Sequence, residues 1–199
     1  GVPVAARGER IATVLANPDH QLGQRTVADE IAFPLVRRRF RPRGWFGRKA
    51  RYSEAEIRDR VRDVAEMVGF DAATLASDPL LLPLATRRLV AVACALAPRP
   101  KVLMVEAATR GFGRGGLERL SALLHTVAAG GTAILLTDQH VACCALGAAR
   151  TTVLRDGVVV ATAPTPEVLA DAALLDSAGI VRFEARLTDE TIEWGSTVQ

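Results

Sequence analysis

Few residue groups in this chain have types and spacing that could do chemistry. Gly111-Phe112-Gly113-Arg114-Gly115-Gly116 matches GxGxxG, with Asp138 at the end of the next apolar run. In a dinucleotide-binding unit such glycines let the backbone approach a pyrophosphate at a helix N-terminus, and an acid about 20 residues on takes a ribose hydroxyl. Here Glu106–Arg110 separate the preceding strand from the first glycine, and Glu106 would crowd a pyrophosphate. A glycine-rich loop with no ligand is the plain alternative. The second group is basic: Arg37, Arg38, Arg39, Arg41, Arg43, Arg48, Lys49 and Arg51, with no acid among residues 37–51. With Trp45, Phe46 and Tyr52 beside it, this insert suits nucleic-acid phosphates with base stacking. It equally suits anionic lipid headgroups with Trp45-Phe46 at the interface, an acidic partner surface, or plain solvation as a loop.

The remaining chemistry-bearing residues are sparse. His20, His125 and His140 have no metal-ligand spacing, and Asp138-Gln139-His140 has no nucleophile near it in sequence. Cys94, Cys143 and Cys144 form no CxxC pair, so reduced, buried thiols are expected and no metal site. The pattern GxxxxGK[ST], whose backbone amides and Lys cradle phosphates, is absent from the 199 residues.

Charge and composition bound the class. The net charge of +3 comes from 25 Lys+Arg against 22 Asp+Glu, but eight of the cations lie in the insert, so the rest of the chain is acidic. A hydrophobic share of 49% with 24% charged residues is an ordinary globular balance, which excludes whole-chain disorder, collagen and coiled coil. The longest apolar run, Leu89 to Ala97, is far short of the roughly 20 residues of a membrane helix. The opening Gly1-Val2-Pro3-Val4 lacks the basic start and apolar stretch of a secretory signal.

The elements that must position these groups are set by local pattern. Ile11 to Leu15 reads as a strand closed by Asn17-Pro18-Asp19. Val27, Ile31 and Leu35 share a helical face, with Pro34 expected to end that helix and residues 36–52 to form a loop. Ser53-Glu54-Ala55-Glu56 is a capping box for a helix through Val68 that Gly69 stops. Leu84 to Leu96 is an apolar helix. Lys101 to Glu106 and Thr132 to Thr137 read as buried parallel strands, joined by a helix over Leu117 to Ala128. Asp156-Gly157 between Thr151–Leu154 and Val158–Ala161 predicts a hairpin. Pro166 to Leu175 is expected to be one helix. The alternation implies an α/β fold with a parallel core sheet.

The order of these pieces resembles an ATP-binding-cassette nucleotide-binding domain, of the type found in energy-coupling-factor and cobalt importers, over about residues 1 to 170. The resemblance rests on three blocks. Asn17-Pro18-Asp19-His20-Gln21-Leu22 with Thr26-Val27-Ala28-Asp29-Glu30-Ile31-Ala32-Phe33 is similar to the segment after the Q-loop strand. Ala91 to Ala97 with Pro100-Lys101-Val102-Leu103-Met104 is similar to the approach to Walker B. Val153-Leu154-Arg155-Asp156-Gly157 with Pro166-Glu167-Val168-Leu169 is similar to the closing hairpin and helix.

The resemblance implies a P-loop-ATPase-like core over 1–25 and 99–175, incomplete at its N-terminus. It also implies an inserted helical subdomain over 26–98 that carries the basic insert 37–51, and leaves a C-terminal extension, 176–199, unplaced. Gly1 falls downstream of the phosphate loop. The metal-reaching Q-loop glutamine falls at Ala16, the Walker B aspartate at Glu106, the water-polarising glutamate at Ala107, the D-loop aspartate at Gly113 and the switch histidine at Asp138. The signature LSGGQ falls on Leu82-Pro83-Leu84-Ala85-Thr86, where Arg87 and Arg88 are the only groups suited to an anion. Gly111, Gly113 and Gly116 remain the candidates for a dinucleotide.

By this resemblance the chain is expected to be a catalytically degenerate importer domain. It would be a structural or regulatory partner of another ATPase domain, as homo- or heterodimer, and of a transmembrane subunit. It would lie on the cytoplasmic face of the membrane, with ATP and Mg²⁺ as cofactors only where an upstream phosphate loop exists. A Rossmann-like dinucleotide domain, and a repurposed cassette domain that binds nucleic acid or protein, are the alternatives.

Overall fold

The computed structural model describes residues 10–39, 52–180, 184–188 and 191–195. The chain divides into two compact units: Gly1–Glu106 with Thr126–Leu135, and Ala107–His125 with Leu136–Gln199.

In the first unit, β1 (Ile11–Val14) pairs in parallel with β2 (Val102–Glu106), with Ile11 opposite Val102 and Val14 opposite Val105. β3 (Ala133–Thr137) is the next strand, in the order β1-β2-β3. Parallel strands need a crossover, and here it is a helical arm: α1 (Val27–Arg39), α2 (Glu54–Val68), α3 (Ala72–Ala76) and α4 (Leu84–Leu96). Val27, Ile31 and Leu35 of α1 pack with Ile57 and Val64 of α2 and with Val90 and Ala93 of α4 in one buried cluster. Each set recurs at helical spacing, so the arm's core follows from the 3.6-residue period.

Pro34 does not end α1, which continues through it to Arg39. Leu35, one residue later, is completely buried on the Val27–Ile31 stripe, and that packing outweighs the roughly 3 kcal/mol that an interior proline costs. Arg37, Arg38 and Arg39, expected in a loop, therefore open the basic insert as helix. α2 begins and ends as its sequence predicts. Ser53 Oγ accepts from Glu56 N at 3.2 Å, Glu56 Oε2 accepts from Ser53 N at 2.6 Å, and Gly69 closes the helix at φ 77°. Arg60 donates to Leu96 O and Ala97 O, each at 2.9 Å, and so caps the last carbonyls of α4.

The strands are less enclosed than their apolar runs predict. Leu103 and Val105 are buried while Val102 and Met104 are partly exposed, and β3 alternates between exposed and half-buried residues. Among the described residues, the fully buried positions of this sheet are Val14 of β1 and Leu103 and Val105 of β2.

The second unit contains the first part of α5, a helix of Arg114–Ala129 whose Leu120, Leu123 and Leu124 are buried. A hairpin of β4 (Arg150–Arg155) and β5 (Val158–Pro164) comes next, antiparallel and bulged at Val153/Leu154. Its turn, Asp156 at φ 52° and Gly157 at φ 78°, is the left-handed pair that Asp-Gly predicts. The single helix expected over 166–175 is two, α6 (Thr165–Ala170) and α7 (Ala172–Ser177). Asp171 divides them because its carboxylate accepts from Leu174 N at 2.9 Å and starts a new helix. Val153, Val168 and Leu175 form the core of this unit. β6 (Glu184–Thr188) and β7 (Thr191–Gly195) make an antiparallel pair in the tail, which the sequence leaves unplaced.

Candidate functional site

The carboxyl ends of β1 and β2 hold the first group of candidates. Ala16, just past β1, has no side chain to offer a metal. Glu106, the last residue of β2, is exposed, and its Oε2 accepts from Ala16 N at 3.0 Å. Arg88 lies beneath them on α4, 1% exposed. Its Nη1 donates to Ala16 O at 2.7 Å and its Nη2 to Glu106 O at 2.8 Å. One guanidinium thus ties together the ends of two strands. A buried cation is tolerable only when its donors find acceptors, and here Nη1 and Nη2 each find a backbone carbonyl of the protein itself.

Arg87, the neighbouring anion candidate, is partly engaged: its Nη1 reaches Asp19 Oδ2 at 2.9 Å, while its Nε has no hydrogen-bond partner among the described residues. Of the two anion candidates, Arg88 is buried against internal carbonyls, and Arg87 is half-buried beside Asp19. The N-terminus of α4 follows Pro83, which supplies no side-chain cap. Leu80, Leu81 and Leu84 around it are exposed.

The second unit holds the other candidates. Asp138, just past β3, accepts from Thr109 N at 2.7 Å and Thr109 Oγ1 at 2.8 Å. It also accepts from Gln139 N at 2.7 Å and His140 N at 3.1 Å. Four donors on one carboxylate make it the organiser of its own loop, not a group aimed outwards. Burial pushes the Cys143 thiol up to about 12, with the Asp138 charge adding to the effect, so this cysteine stays a protonated thiol. Ala107 sits at φ 46°, a left-handed conformation that is costly with a Cβ.

The GxGxxG stretch does not form a dinucleotide cradle. Five residues of turn, Ala107–Gly111, come after β2, and α5 begins at Arg114, inside the motif. Gly111 supplies a φ of 83° to the turn. Gly113 has open space around it. A Cβ on Gly116 would lie 3.0 Å from the Phe112 ring, so that glycine makes room for a phenylalanine instead of a ligand.

Of the basic insert, Arg37 is described: its guanidinium stands 5.7 Å over the Phe33 ring. The side chains of Arg38 and Arg39, and all of Arg41, Arg43, Trp45, Phe46, Arg48, Lys49 and Arg51, lie outside the described residues. Phe33 and Val36 of α1 are exposed, and Phe33 lines a half-open cleft of about 210 Å³ with Thr13, Gln21, Glu30 and Cys94.

Two residues escape sequence reasoning. Glu30, 2% exposed, accepts from the backbone N–H groups of Gly23 and Gln24 and so shapes the loop that enters α1. Gln21 gives its amide to Thr13 O at 2.8 Å and accepts from Leu15 N at 2.7 Å, a side chain acting as one rung along β1. Glu30 is detectable in retrospect: it stands three residues after Val27, on the buried stripe. Arg88 carries the same signal, four residues before Val92. Among the described residues, no cluster of His, Cys, Asp and Glu could hold a metal ion, and no helix is long and apolar enough to cross a membrane.

No protein-family profile matches the chain. Comparison with curated proteins finds a cobalt import ATP-binding protein, CbiO, of Rhodobacter capsulatus, 32% identical over 173 residues, covering 86% of this chain and 56% of that protein. It also finds a putative ABC transporter ATP-binding protein of Streptomyces coelicolor, 33% identical over 172 residues, 85% of this chain and 55% of that one. The energy-coupling factor transporter ATP-binding protein EcfA of Methanosphaera stadtmanae is 27% identical over 178 residues, 89% of this chain and 59% of that one. The chain thus spans about half the length of the curated relatives it matches.

Among solved structures, cbiO1 of Clostridium perfringens, part of the ABC transporter complex cbiONQ, superposes with a TM-score of 0.68 at 23% identity, covering 85% of this chain and 63% of that one. A dimeric ATP-binding cassette in a post-hydrolysis state, bound to ADP and Pi, gives 0.67 at 18% identity, covering 82% and 68%. These two structures carry the fold.

Proposed function

The chain belongs to the ATP-binding-cassette nucleotide-binding domains of the energy-coupling, cobalt-importer type, and from that premise we propose that it is a catalytically silent member. It is a structural or regulatory partner of an active ATPase domain and of a transmembrane subunit, held at the cytoplasmic face of the membrane. The observation that carries this reading is the internal use of the charged groups at the strand ends. Arg88 donates to Ala16 O and Glu106 O, and Asp138 accepts from two donors of its own loop and two of Thr109.

Mg-ATP does not fit the residues present. Ala16 and Ala107 stand where the resemblance puts a metal-reaching amide and a water-polarising carboxylate, and Asp138 where it puts the switch histidine. Loss of one such group costs a hydrolytic site orders of magnitude in rate, and here several are missing together. No hydrolytic step is therefore derived for this chain. For the membrane subunit, the exposed Phe33 and Val36 of α1 beside Arg37 offer an apolar and basic contact face, with the adjoining cleft open to a side chain.

Two experiments test the reading. The purified chain is expected to release no phosphate from Mg-ATP above background; release that disappears in Glu106→Gln overturns the silent assignment. Co-isolation from membranes with an active cassette subunit and a transmembrane subunit is expected, and isolation of this chain by itself overturns the partner assignment.

A further inference from the structure

The second half of α1 presents an apolar and basic face. Leu35 is completely buried in the core of the arm, which holds the helix straight through Pro34 and turns its other side outwards. On that side Phe33 is 42% exposed and Val36 41%. Arg37 stands beside them, its guanidinium 5.7 Å over the Phe33 ring. Phe33, Val36 and Arg37 are spaced i, i+3 and i+4, so they form one patch on the helix surface. From Arg37 to residue 51 the sequence carries eight cations and no acid, interleaved with Phe40, Trp45 and Phe46. The rest of the chain is acidic, so this is a concentrated local charge and not a property of the whole surface.

We propose that this end of α1 and the cationic run that follows it bind the surface of an anionic lipid bilayer, the cations on headgroup phosphates and the apolar side chains at the boundary with the acyl chains. Three observations select lipid. Exposed apolar side chains next to arginine are the composition of a segment that lies in a membrane interface, because a long basic side chain reaches the headgroups while its stem stays with the apolar layer. The eight cations without an acid complement a negative leaflet, and each one near it strengthens binding about fivefold. The acid excess of the rest of the chain is repelled by the same leaflet, so binding is confined to this run. Finally, Arg37 covers one face of the Phe33 ring and withdraws that face from stacking on a nucleic-acid base. The inference goes beyond the proposed contact with a membrane subunit and does not depend on it. That contact takes the Phe33 end of the face with its cleft, and the lipid contact takes the Arg37 end and the run beyond.

Co-sedimentation of the full chain with phosphatidylcholine vesicles, and with vesicles that also hold about 30 mol % phosphatidylglycerol, tests it. Binding to the anionic vesicles is expected to be at least about tenfold stronger than to the neutral ones, and to be lost at about 0.5 M salt, where exposed charges are screened. Arg41→Gln combined with Arg43→Gln is expected to weaken it about 25-fold, with an unchanged circular-dichroism melt. A second readout needs no charge variant. In Trp194→Phe, Trp45 is the one tryptophan left, and its emission is expected to shift to the blue on anionic vesicles only. Failure to bind the anionic vesicles overturns the proposal, and so does equal binding to the neutral ones. Binding that the arginine pair leaves intact, or an unshifted Trp45 emission, does the same. Tighter binding to a duplex DNA oligonucleotide than to the anionic vesicles assigns the run to nucleic acid and also overturns it. The vesicles hold no protein, so none of these outcomes bears on the partnerships that co-isolation reads.

Discussion

The ends of β1 and β2 and the end of β3 treat charge in opposite ways. At the first, a buried guanidinium from a distant helix donates to two backbone carbonyls. At the second, a half-buried carboxylate gathers three backbone N–H groups and a hydroxyl, two of the N–H groups within two residues of itself. Arg88 joins two strand ends that are distant from each other in the chain, whereas Asp138 divides its bonds equally between its own loop and Thr109. In both places a charged side chain that looks available in the sequence has its hydrogen-bonding capacity turned inwards. A charge so used stabilises the fold and is withdrawn from chemistry, because a ligand would first have to break its bonds.

The contrast predicts unequal effects. Arg88→Met is expected to lower the unfolding free energy by about 3 kcal/mol in urea titration, since it removes two charge-assisted hydrogen bonds from the carbonyls at the strand ends. Arg88→Lys is expected to recover little, because an ammonium lacks the planar fork that spans both acceptors. A loss below about 1 kcal/mol for Arg88→Met breaks the comparison. Asp138→Ala is expected to cost about 2 kcal/mol, with Asp138→Asn intermediate because its amide oxygen still accepts. A cost equal to that of Arg88→Met would mean that the two ends do not differ as described.

An ordinary helix cap provides the scale. Ser53→Ala is expected to cost about 1 kcal/mol. The Ser53 N–H and hydroxyl hold the Glu56 carboxyl below its usual range. The stabilisation from this cap is therefore present above the unfolded-state value of about 4.5 and is lost as pH falls through the lower folded-state value. An acid titration of stability is expected to show that loss in the wild type, a reduced loss in Ser53→Ala, which keeps the backbone N–H that Glu56 accepts from, and none in Glu56→Gln. The smallest effect is expected at Ala107, where φ is 46°. Ala107→Gly relieves the left-handed strain but frees the unfolded chain, for a net gain of about 0.5 kcal/mol.

Legible and illegible features divide along similar lines. The capping box at Ser53 and Glu56, the stop at Gly69 and the turn at Asp156-Gly157 are local hydrogen-bond and backbone preferences, and the structure contains each of them. Pro34 misleads because its cost is local while the burial of Leu35 that offsets it comes from α2 and α4. Asp171 escapes notice because a side chain that caps its own backbone divides a helix without any glycine or proline signal. GxGxxG misleads because the pattern states spacing but not where the helix starts. Arg87 and Arg88 read as a solvated or anion-facing pair because nothing nearby in the sequence tells where their acceptors lie.

By itself the sequence determined the helical arm's apolar stripes, the hairpin, the family and the absence of a phosphate loop from these 199 residues, since each is a matter of residue type at short range or of order along the chain. Only the tertiary structure decided that Arg88 is a buried tie between two strand ends and that Asp138 is held by Thr109 together with its own loop. The same holds for Leu80, Leu81 and Leu84, which face outwards while Leu82 faces in. The reason is that a side chain's role depends on which acceptors and which solvent it meets. Those are set by contacts between segments that no local preference encodes.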